Sequence, residues 1–251
     1  MLLAIDIGNT NIKLGIFDSG ALVEELKIAS DKELTAQEYE VLLKTLLKNF
    51  DISGCIVSSV VDELNLKIKN AVISAFKLEP IFLTSDINTK VKIKLKNPKE
   101  AGGDRIANAT GAYILYKKPV IVVDFGTAIS FDIVNKDGEF IGGLIAPGIK
   151  LQINALNKFT SKLPRVEFAK SKNPIGDNTH DAILSGIVRG TSCMIEGMIK
   201  QCETQLGTKA TVVATGGYAS FIEEYMGRKF DFINPTLTLE GLRYLYELNK
   251  N

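Results

Sequence analysis

The fold is decided by two similar stretches of sequence, Ile5-Asp6-Ile7-Gly8-Asn9-Thr10-Asn11-Ile12 and Val123-Asp124-Phe125-Gly126-Thr127-Ala128-Ile129. Each follows an apolar run typical of a buried strand, carries one Asp at the strand's end, turns through Gly and hydroxyl residues, and continues as a second strand. A carboxylate there can hold a hydrated divalent cation, and a Gly-rich turn lets backbone N–H groups approach phosphate oxygens. The repetition predicts a duplicated hairpin that binds phosphate and metal; an ordinary polar β-hairpin is the alternative.

Composition limits the classes of partner. The 251 residues are 45% hydrophobic, enough for one large domain or two ordinary ones. Because 30 Lys and Arg balance 29 Asp and Glu, bulk charge predicts neither nucleic-acid nor membrane-surface binding and favours a small polar ligand. No apolar run approaches the roughly 20 residues of a membrane helix, and the N-terminus enters a strand directly. We therefore expect a globular cytoplasmic protein.

Cysteine and histidine are scarce. Cys55, Cys193 and Cys202 are too few and too far apart for a disulfide framework or a zinc site, so we expect reduced thiols. His180 is the only histidine, which excludes metal sites built from several histidines. Chemistry must therefore depend on carboxylates, hydroxyls, backbone groups and basic side chains.

The two halves of the chain repeat one plan. Strands at 2–6, 12–17 and 22–29 precede alternating helices and strands, and the second half begins with strands at 120–124, 129–134 and 140–145. A long helix at 181–206, a strand at 211–214 and two further helices complete the second half. Lys117-Lys118-Pro119 ends the helix predicted at 105–116. We predict a duplicated α/β fold with domains at 1–117 and 118–251.

The first hairpin has a candidate cation partner for phosphate. Lys13 lies two residues beyond Asn11 on the outgoing strand, where its ammonium group could point at bound phosphates. A solvated strand lysine is the alternative. The second hairpin contains Asp124-Phe125-Gly126, which matches the magnesium motif of protein kinases. That class is excluded because the chain has neither the kinase Gly-rich loop nor a His-Arg-Asp catalytic loop, and P-loop and dinucleotide-binding signatures are also absent.

A third candidate element lies between the hairpins. Gly102-Gly103-Asp104-Arg105 places a carboxylate beside a guanidinium group at a predicted helix N-terminus, a location that favours anions. In a phosphotransferase, Asp104 would accept the proton of the substrate hydroxyl and Arg105 would hold an acidic substrate. The alternative is that Asp104 only caps the helix while Arg105 is solvated.

Three further turns are weaker candidates. The segment 142–148 leads from a strand into a helix and either lines the cleft or only ends the strand. Thr179 precedes the long helix and is either an N-cap or a ligand contact. Thr215-Gly216-Gly217 follows a strand, as turns at the edge of a nucleotide site do, although a Gly pair alone is weak support.

Together these motifs closely resemble the type III pantothenate kinases. The resemblance runs from Asp6 to Leu242 and includes Asp-x-Gly-Asn-Thr-Asn, Gly-Gly-Asp-Arg, Val-Asp-Phe-Gly-Thr-Ala, Gly-Gly-Leu-Ile-Ala-Pro-Gly, Asn-Thr-His-Asp-Ala-Ile and Thr-Gly-Gly, in that order. It implies two ribonuclease-H-like halves, as in sugar and acetate kinases, actin and chaperone ATPases. It also implies a homodimer that phosphorylates pantothenate with ATP, magnesium and a monovalent cation such as potassium or ammonium.

The same resemblance implies roles for individual residues. Residues from Asp6 to Lys13 would hold ATP phosphates, with Asp6 on magnesium through water, and Thr127 would also contact ATP. Asp124, which by itself reads as a second magnesium ligand, would bind the monovalent cation. Gly102, Gly103, Asp104 and Arg105 would bind pantothenate together with Thr179, and Asp104 would be the general base.

The chain departs from the family pattern at two positions. Gly103 stands where the family usually has Ala, and Leu95 stands where a Tyr often contacts substrate. Two other functions therefore stay open. One is a non-catalytic regulator on the same fold, and the other is a kinase for another small hydroxy acid. Retention of Asp6, Asp104, Arg105 and Asp124 favours an enzyme.

Overall fold

A computed structural model describes residues 1–250 and forms two compact units. The first contains residues 1–115 together with the described chain from Thr236, and the second contains Tyr116–Pro235. We expected the second domain to run to the C-terminus. The structure instead assigns the last helix to the first unit, because that helix packs there on the helix that follows Gly102.

The first unit contains six strands, four α-helices and a short 3₁₀ turn. They are β1 Leu2–Ile7, β2 Asn11–Asp18, β3 Ala21–Ala29, α1 Ala36–Leu46, β4 Gly54–Ser59, α2 Asp62–Phe76, β5 Ile81–Phe82, β6 Lys92–Ile93, the 3₁₀ turn Pro98–Glu100, α3 Gly103–Leu115 and, from the end of the chain, α7 Leu237–Asn249. Helix α1 begins with a capping box, in which the Thr35 side chain accepts from the Glu38 N–H and the Glu38 side chain accepts from the Thr35 N–H.

The second unit contains five strands and three helices. They are β7 Val120–Phe125, β8 Ala128–Val134, β9 Glu139–Pro147, α4 Ile149–Phe159, α5 Thr179–Leu206, β10 Thr211–Gly216, α6 Ala219–Glu223 and β11 Phe232–Ile233.

Both units use the same strand order. The first sheet runs β3-β2-β1-β4-β5, and the second contains the run β9-β8-β7-β10-β11. In each, the first strand is antiparallel to the second and parallel to the fourth. This shared topology confirms the predicted duplicated α/β fold, with each pair of hairpin strands in the interior of its sheet.

In the first unit, each sheet face has its own hydrophobic core. Leu3, Ile5 and Ile7 pack with α1 and α2, whereas Leu2 and Ala4 pack with α3 and α7. Successive strand residues point to opposite faces, so the even positions of β1 face α3 and α7. This alternation decides on which face Asp6 lies.

In the second unit, the core lies between the sheet and helices α4, α5 and α6. Helix α5 is long and apolar enough to cross a membrane by length and composition, and half of its most apolar window is buried. The sequence predicts this helix at 181–206 but not an apolar run of membrane-spanning length, because Ser185, Arg189 and several glycines interrupt its apolar residues. Its burial is that of a helix packed in a protein core.

Candidate functional site

The first hairpin has the predicted strand-turn-strand form. Asp6 lies at the end of β1 and is the register partner of Lys13 on β2. The turn between the strands closes with the Gly8 N–H donating to the Asn11 carbonyl at 3.0 Å. Asn9 and Thr10 are exposed at its tip. Backbone groups of the turn therefore border solvent beside a carboxylate and an ammonium group.

Ser30 fixes this turn and was not identified from the sequence. Its N–H donates to the Thr10 carbonyl at 3.1 Å, and its hydroxyl donates to the Gly8 carbonyl at 2.5 Å. The contact depends on the pairing of β3 with β2, so no local motif announces it. Its only sequence signal is a serine directly after the third strand.

Asp6, Lys13 and Ser58 form a row across three neighbouring strands. Asp6 pairs in register with Lys13 on one side and with Ser58 of β4 on the other. Register partners point to the same face, and Ala4 and Ile56, two residues earlier, pack against α3 and α7. The row therefore lies on the face that α3 covers.

Helix α3 brings the Gly102–Arg105 element to this row. Because the helix begins at Gly103, Asp104 lies in its first turn and is not the N-cap residue. Asp104 Oδ1 accepts from the Arg105 N–H at 2.8 Å, so the carboxylate folds over the start of the helix. A Cβ on Gly102 would stand 2.6 Å from that oxygen, so a side chain at this position would displace the Asp104 carboxylate.

The second hairpin turns more tightly. Asp124 pairs with Ser130 across β7 and β8, and the two-residue turn of Gly126 and Thr127 closes with the Gly126 N–H donating to the Ala128 carbonyl at 3.0 Å. The hairpins thus share their carboxylate placement but not their turn length.

Two glycines from the weaker candidate turns hold the second hairpin. Gly148, the N-cap residue of α4, donates its N–H to the Thr127 carbonyl at 3.0 Å, and a Cβ on it would stand 2.2 Å from that oxygen. Gly216 has φ of +86°, and its Cβ would stand 2.6 Å from the Phe125 carbonyl oxygen. The segments 142–148 and 215–217 therefore support Asp124 and Thr127 at close backbone contact.

Thr179 is the first residue of α5 and therefore follows the N-cap position that the sequence suggested for it. The N-cap is Asn178, whose side chain accepts from the Asp181 N–H at 2.9 Å. Thr179 is exposed and helps to line a surface cavity of about 610 Å3 whose apolar walls include Leu156 and Ile183. A hydrogen bond with His180, and then one from Asn178, lower the pKa of the Asp181 carboxyl. The N-cap alternative for Thr179 is therefore wrong.

The Asp6 carboxylate suits a magnesium ion whose other ligands are nucleotide phosphates and water. Among residues 1–250, no group of three His, Cys, Asp or Glu side chains forms a metal cluster. Mg2+ bound to nucleotide phosphates typically keeps several waters and takes one or two protein carboxylates. Asp6 beside an open turn fits that donor set.

The predicted site residues thus fall into two groups. Asp6 and Lys13 lie with Gly102–Arg105 on one sheet face of the first unit, whereas the side chains of Ile7 and Ile12 are buried in the core on the opposite face. Asp124, Thr127 and Thr179 belong to the second unit. Leu95, where the resemblance led us to look for Tyr, is half-buried between β6 and the 3₁₀ turn.

Comparisons with known proteins identify the family. The family model described as type III pantothenate kinase matches residues 2–201. A type III pantothenate kinase from Dehalococcoides mccartyi strain CBDB1 is 42% identical over 254 residues, covering 99% of this chain and 96% of that protein.

Two solved structures share the fold at low sequence identity. One, from Campylobacter jejuni and described as a candidate Baf family transcriptional activator, gives a TM-score of 0.63 at 20% identity and covers 98% of each chain. A ROK family glucokinase from Streptomyces griseus gives 0.52 at 13% identity, covering 97% of this chain and 98% of that chain. These two structures show the fold alone, whereas the family model and the Dehalococcoides relative show the family. The chain belongs to the type III pantothenate kinase family.

Proposed function

We propose that this chain catalyses the ATP-dependent phosphorylation of pantothenate to 4'-phosphopantothenate, the first step of coenzyme A biosynthesis. Family membership supports the reaction and its use of ATP with a divalent metal. The observation that carries the assignment to this site is the placement of Asp104 in the first turn of α3, on the sheet face that bears Asp6 and Lys13.

The first hairpin would bind the triphosphate. Its turn, from Gly8 to Asn11, exposes backbone groups, and Lys13 adds positive charge opposite Asp6. Asp6 would hold magnesium through water, and the metal would supply charge neutralisation at the transferring phosphoryl group. The protein's own contribution is then positioning and electrostatic stabilisation, which are the main demands of phosphoryl transfer.

Asp104 would act as the general base and Arg105 as the anchor of the substrate. The 4'-hydroxyl proton passes to the Asp104 carboxylate while the hydroxyl oxygen attacks the γ-phosphorus, and the bond to the β,γ-bridging oxygen breaks to release ADP. Arg105 can hold the pantothenate carboxylate through two N–H groups. Gly102 and Gly103 would contact pantothenate through backbone groups at the start of the helix.

Three residues of the second unit are proposed to bind ligands: one a monovalent cation, one ATP and one the substrate. The Asp124 carboxylate at the end of β7 would hold K+ or NH4+. Thr127 would contact ATP from that turn, and Thr179 would contact pantothenate from the mouth of the cavity at the start of α5.

A homodimer is supported by one face of α5. Five exposed small residues recur there at spacings of three and four: Ala182, Gly186, Gly190, Cys193 and Gly197. Apart from the neighbouring residues and the nearby backbone of α5 itself, a Cβ on any of the three glycines would meet no described atom within 4 Å. Small residues let helix axes approach closely, so this face suits packing against the same helix of a second copy.

The cytoplasm is the proposed compartment, and small molecules are the proposed ligands. All three cysteines are free, as expected in a reducing environment. The net charge of +1 favours small ligands over nucleic acid or a membrane surface.

Asp104→Asn tests the assignment of the base. We expect kcat to fall at least about 100-fold because proton transfer is lost, while ATP affinity changes little. Asp62→Asn is the matched control, since Asp62 is an exposed acid in the first turn of α2. Wild-type kcat in Asp104→Asn would show that Asp104 is not the base.

A substrate panel separates the remaining alternatives. Transfer to pantothenate but not to other small hydroxy acids supports the proposal, and the reverse preference supports a kinase of different specificity. ATP binding without transfer to any acceptor would identify a regulator.

A further inference from the structure

Ser58 lies within the candidate site but belongs to none of its predicted motifs. It is the next-to-last residue of β4 and the register partner of Asp6 in the parallel pairing of β1 and β4. Its side chain is fully buried, on the sheet face that α3 covers. A small polar residue is thus enclosed between the strand that bears Asp6 and the helix that bears Asp104.

The Ser58 hydroxyl has no hydrogen-bond partner among residues 1–250. Leaving a buried hydroxyl unsatisfied costs free energy, and such exceptions often mark functional sites. The next residue differs, because Ser59 Oγ accepts from the Val61 N–H at 3.1 Å and donates to the Val61 carbonyl at 3.3 Å. Local turn formation therefore explains Ser59 but not Ser58.

Gly103 leaves the space that Ser58 occupies. A Cβ on Gly103 would stand 2.9 Å from Ser58 Oγ and 3.4 Å from Ser58 Cβ. A methyl group there would force either the Ser58 hydroxyl or the first turn of α3 to move. The Ser58 hydroxyl therefore packs against Gly103, the residue that precedes Asp104, where no side chain fits between them.

We infer that Ser58 is a positioning residue for phosphoryl transfer: its hydroxyl, seated against Gly103, sets the place of the Asp104 carboxylate. The inference rests on the proposed role of Asp104 as the base. A displacement of about 1 Å at a reacting group can lower a rate substantially, so a contact at the neighbouring backbone is well placed to control kcat. Ser58 itself transfers no proton and contacts no reacting atom.

This role predicts opposite effects on activity and stability. Ser58→Ala removes an unsatisfied hydroxyl, so the melting temperature should stay the same or rise. The same change opens space under Gly103, so kcat should fall about tenfold while KM for ATP stays within about twofold. A merely structural serine would change stability without this selective loss of kcat.

The test is a double-mutant cycle on kcat with Ser58→Ala, Gly103→Ala and the double variant. Gly103→Ala places a methyl group 2.9 Å from the Ser58 hydroxyl, whereas Ser58→Ala removes that hydroxyl. The serine change therefore makes room for the methyl, and the double variant should lose less than the product of the two single losses. Ser59→Ala, the matched control, should keep wild-type kcat. The inference is overturned if Ser58→Ala keeps wild-type kcat, if the losses simply multiply, or if KM for ATP rises while kcat is retained.

The two levels of proposal fail differently. If the wild-type chain transfers no phosphoryl group to pantothenate, the proposed function and this inference both fall. If the wild-type chain is active and the cycle shows no coupling, only the role of Ser58 falls.

Discussion

At the scale of single residues, close contacts decide where the candidate base lies. Asp104 Oδ1 is held by the Arg105 N–H and lies against Gly102, in space that a side chain on Gly102 would need. The family resemblance indicates the motif, and the structure shows that the carboxylate occupies the space beside its first glycine.

Gly102→Ala should displace the Asp104 carboxylate, because the added methyl would stand 2.6 Å from Oδ1. We expect kcat for pantothenate phosphorylation to fall at least about tenfold, measured by a coupled ADP assay. Gly227→Ala is the control, since its Cβ would make only an ordinary contact with Glu196 Oε1 at 3.4 Å. Equal activity of both variants would contradict this account of Gly102.

The buried Glu203 carboxylate holds several parts of the second unit together through hydrogen bonds. Burial alone would raise the pKa of Glu203, but hydrogen bonds from Arg228, Lys209 and the Ala210 N–H outweigh it and hold that pKa at about 2. Both Arg228 contacts are short, at 2.8 and 2.9 Å. The carboxylate therefore links the end of α5 to the chain on both sides of β10.

This depressed pKa predicts acid sensitivity. The carboxylate's stabilisation is complete above the unfolded value near 4.5 and is lost as the pH falls towards 2, a contribution of about 3 kcal/mol. Glu203→Gln should therefore lower the unfolding free energy at pH 7 and flatten its dependence on pH between 4.5 and 2. Chemical denaturation at several pH values measures both, with Glu224→Gln, an exposed ion-pair partner of Lys170, as control. An unchanged pH dependence in Glu203→Gln would refute the assignment.

At the scale of elements, the hairpins and the capping box could be predicted because their signals are local. Asp6 and Asp124 each follow an apolar run, and Thr35 and Glu38 are three residues apart. Helix α7 was assigned to the wrong half because its partners, such as Ala107 beside Gly241, are far away in sequence. Ser30 and Ser58 were missed for the same reason, since their contacts form only once strands pair.

Ser30→Ala tests whether the first hairpin binds ATP. The change removes the hydroxyl that donates a hydrogen bond to the Gly8 carbonyl, so the proposed phosphate-binding turn should become less rigid. We expect KM for ATP to rise about threefold to tenfold, with a smaller effect on KM for pantothenate. Ser53→Ala is the control, because Ser53 directly precedes β4 and its hydroxyl forms hydrogen bonds with Met1, away from the Gly8 turn. A rise confined to KM for pantothenate would argue against the assignment.

At the scale of the whole molecule, duplication provides two similar sheets but not two equivalent sites. The turn of the first hairpin is anchored by Ser30, whereas that of the second is held by Gly148 and Gly216. The proposed division of roles between Asp6 and Asp124 rests on the family resemblance, and this difference in surroundings is consistent with it.

The proposed homodimer makes a prediction about α5. Gly190→Leu would put a large side chain on the exposed stripe of small residues and should prevent close helix packing. Light scattering should then report the mass of one chain, whereas the wild type should report twice that mass. Gln37→Leu, an exposed position on α1, controls for added surface leucine. A wild-type monomer, or a Gly190→Leu dimer as stable as wild type, would exclude this interface.

The most direct test of the central claim is the product formed by the wild-type protein. Purified protein is incubated with ATP, magnesium, potassium and pantothenate, and the products are identified by mass spectrometry. The account predicts one 4'-phosphopantothenate for each ADP released, with a lower rate when potassium is left out. Release of ADP without phosphopantothenate, or no turnover at all, would contradict it.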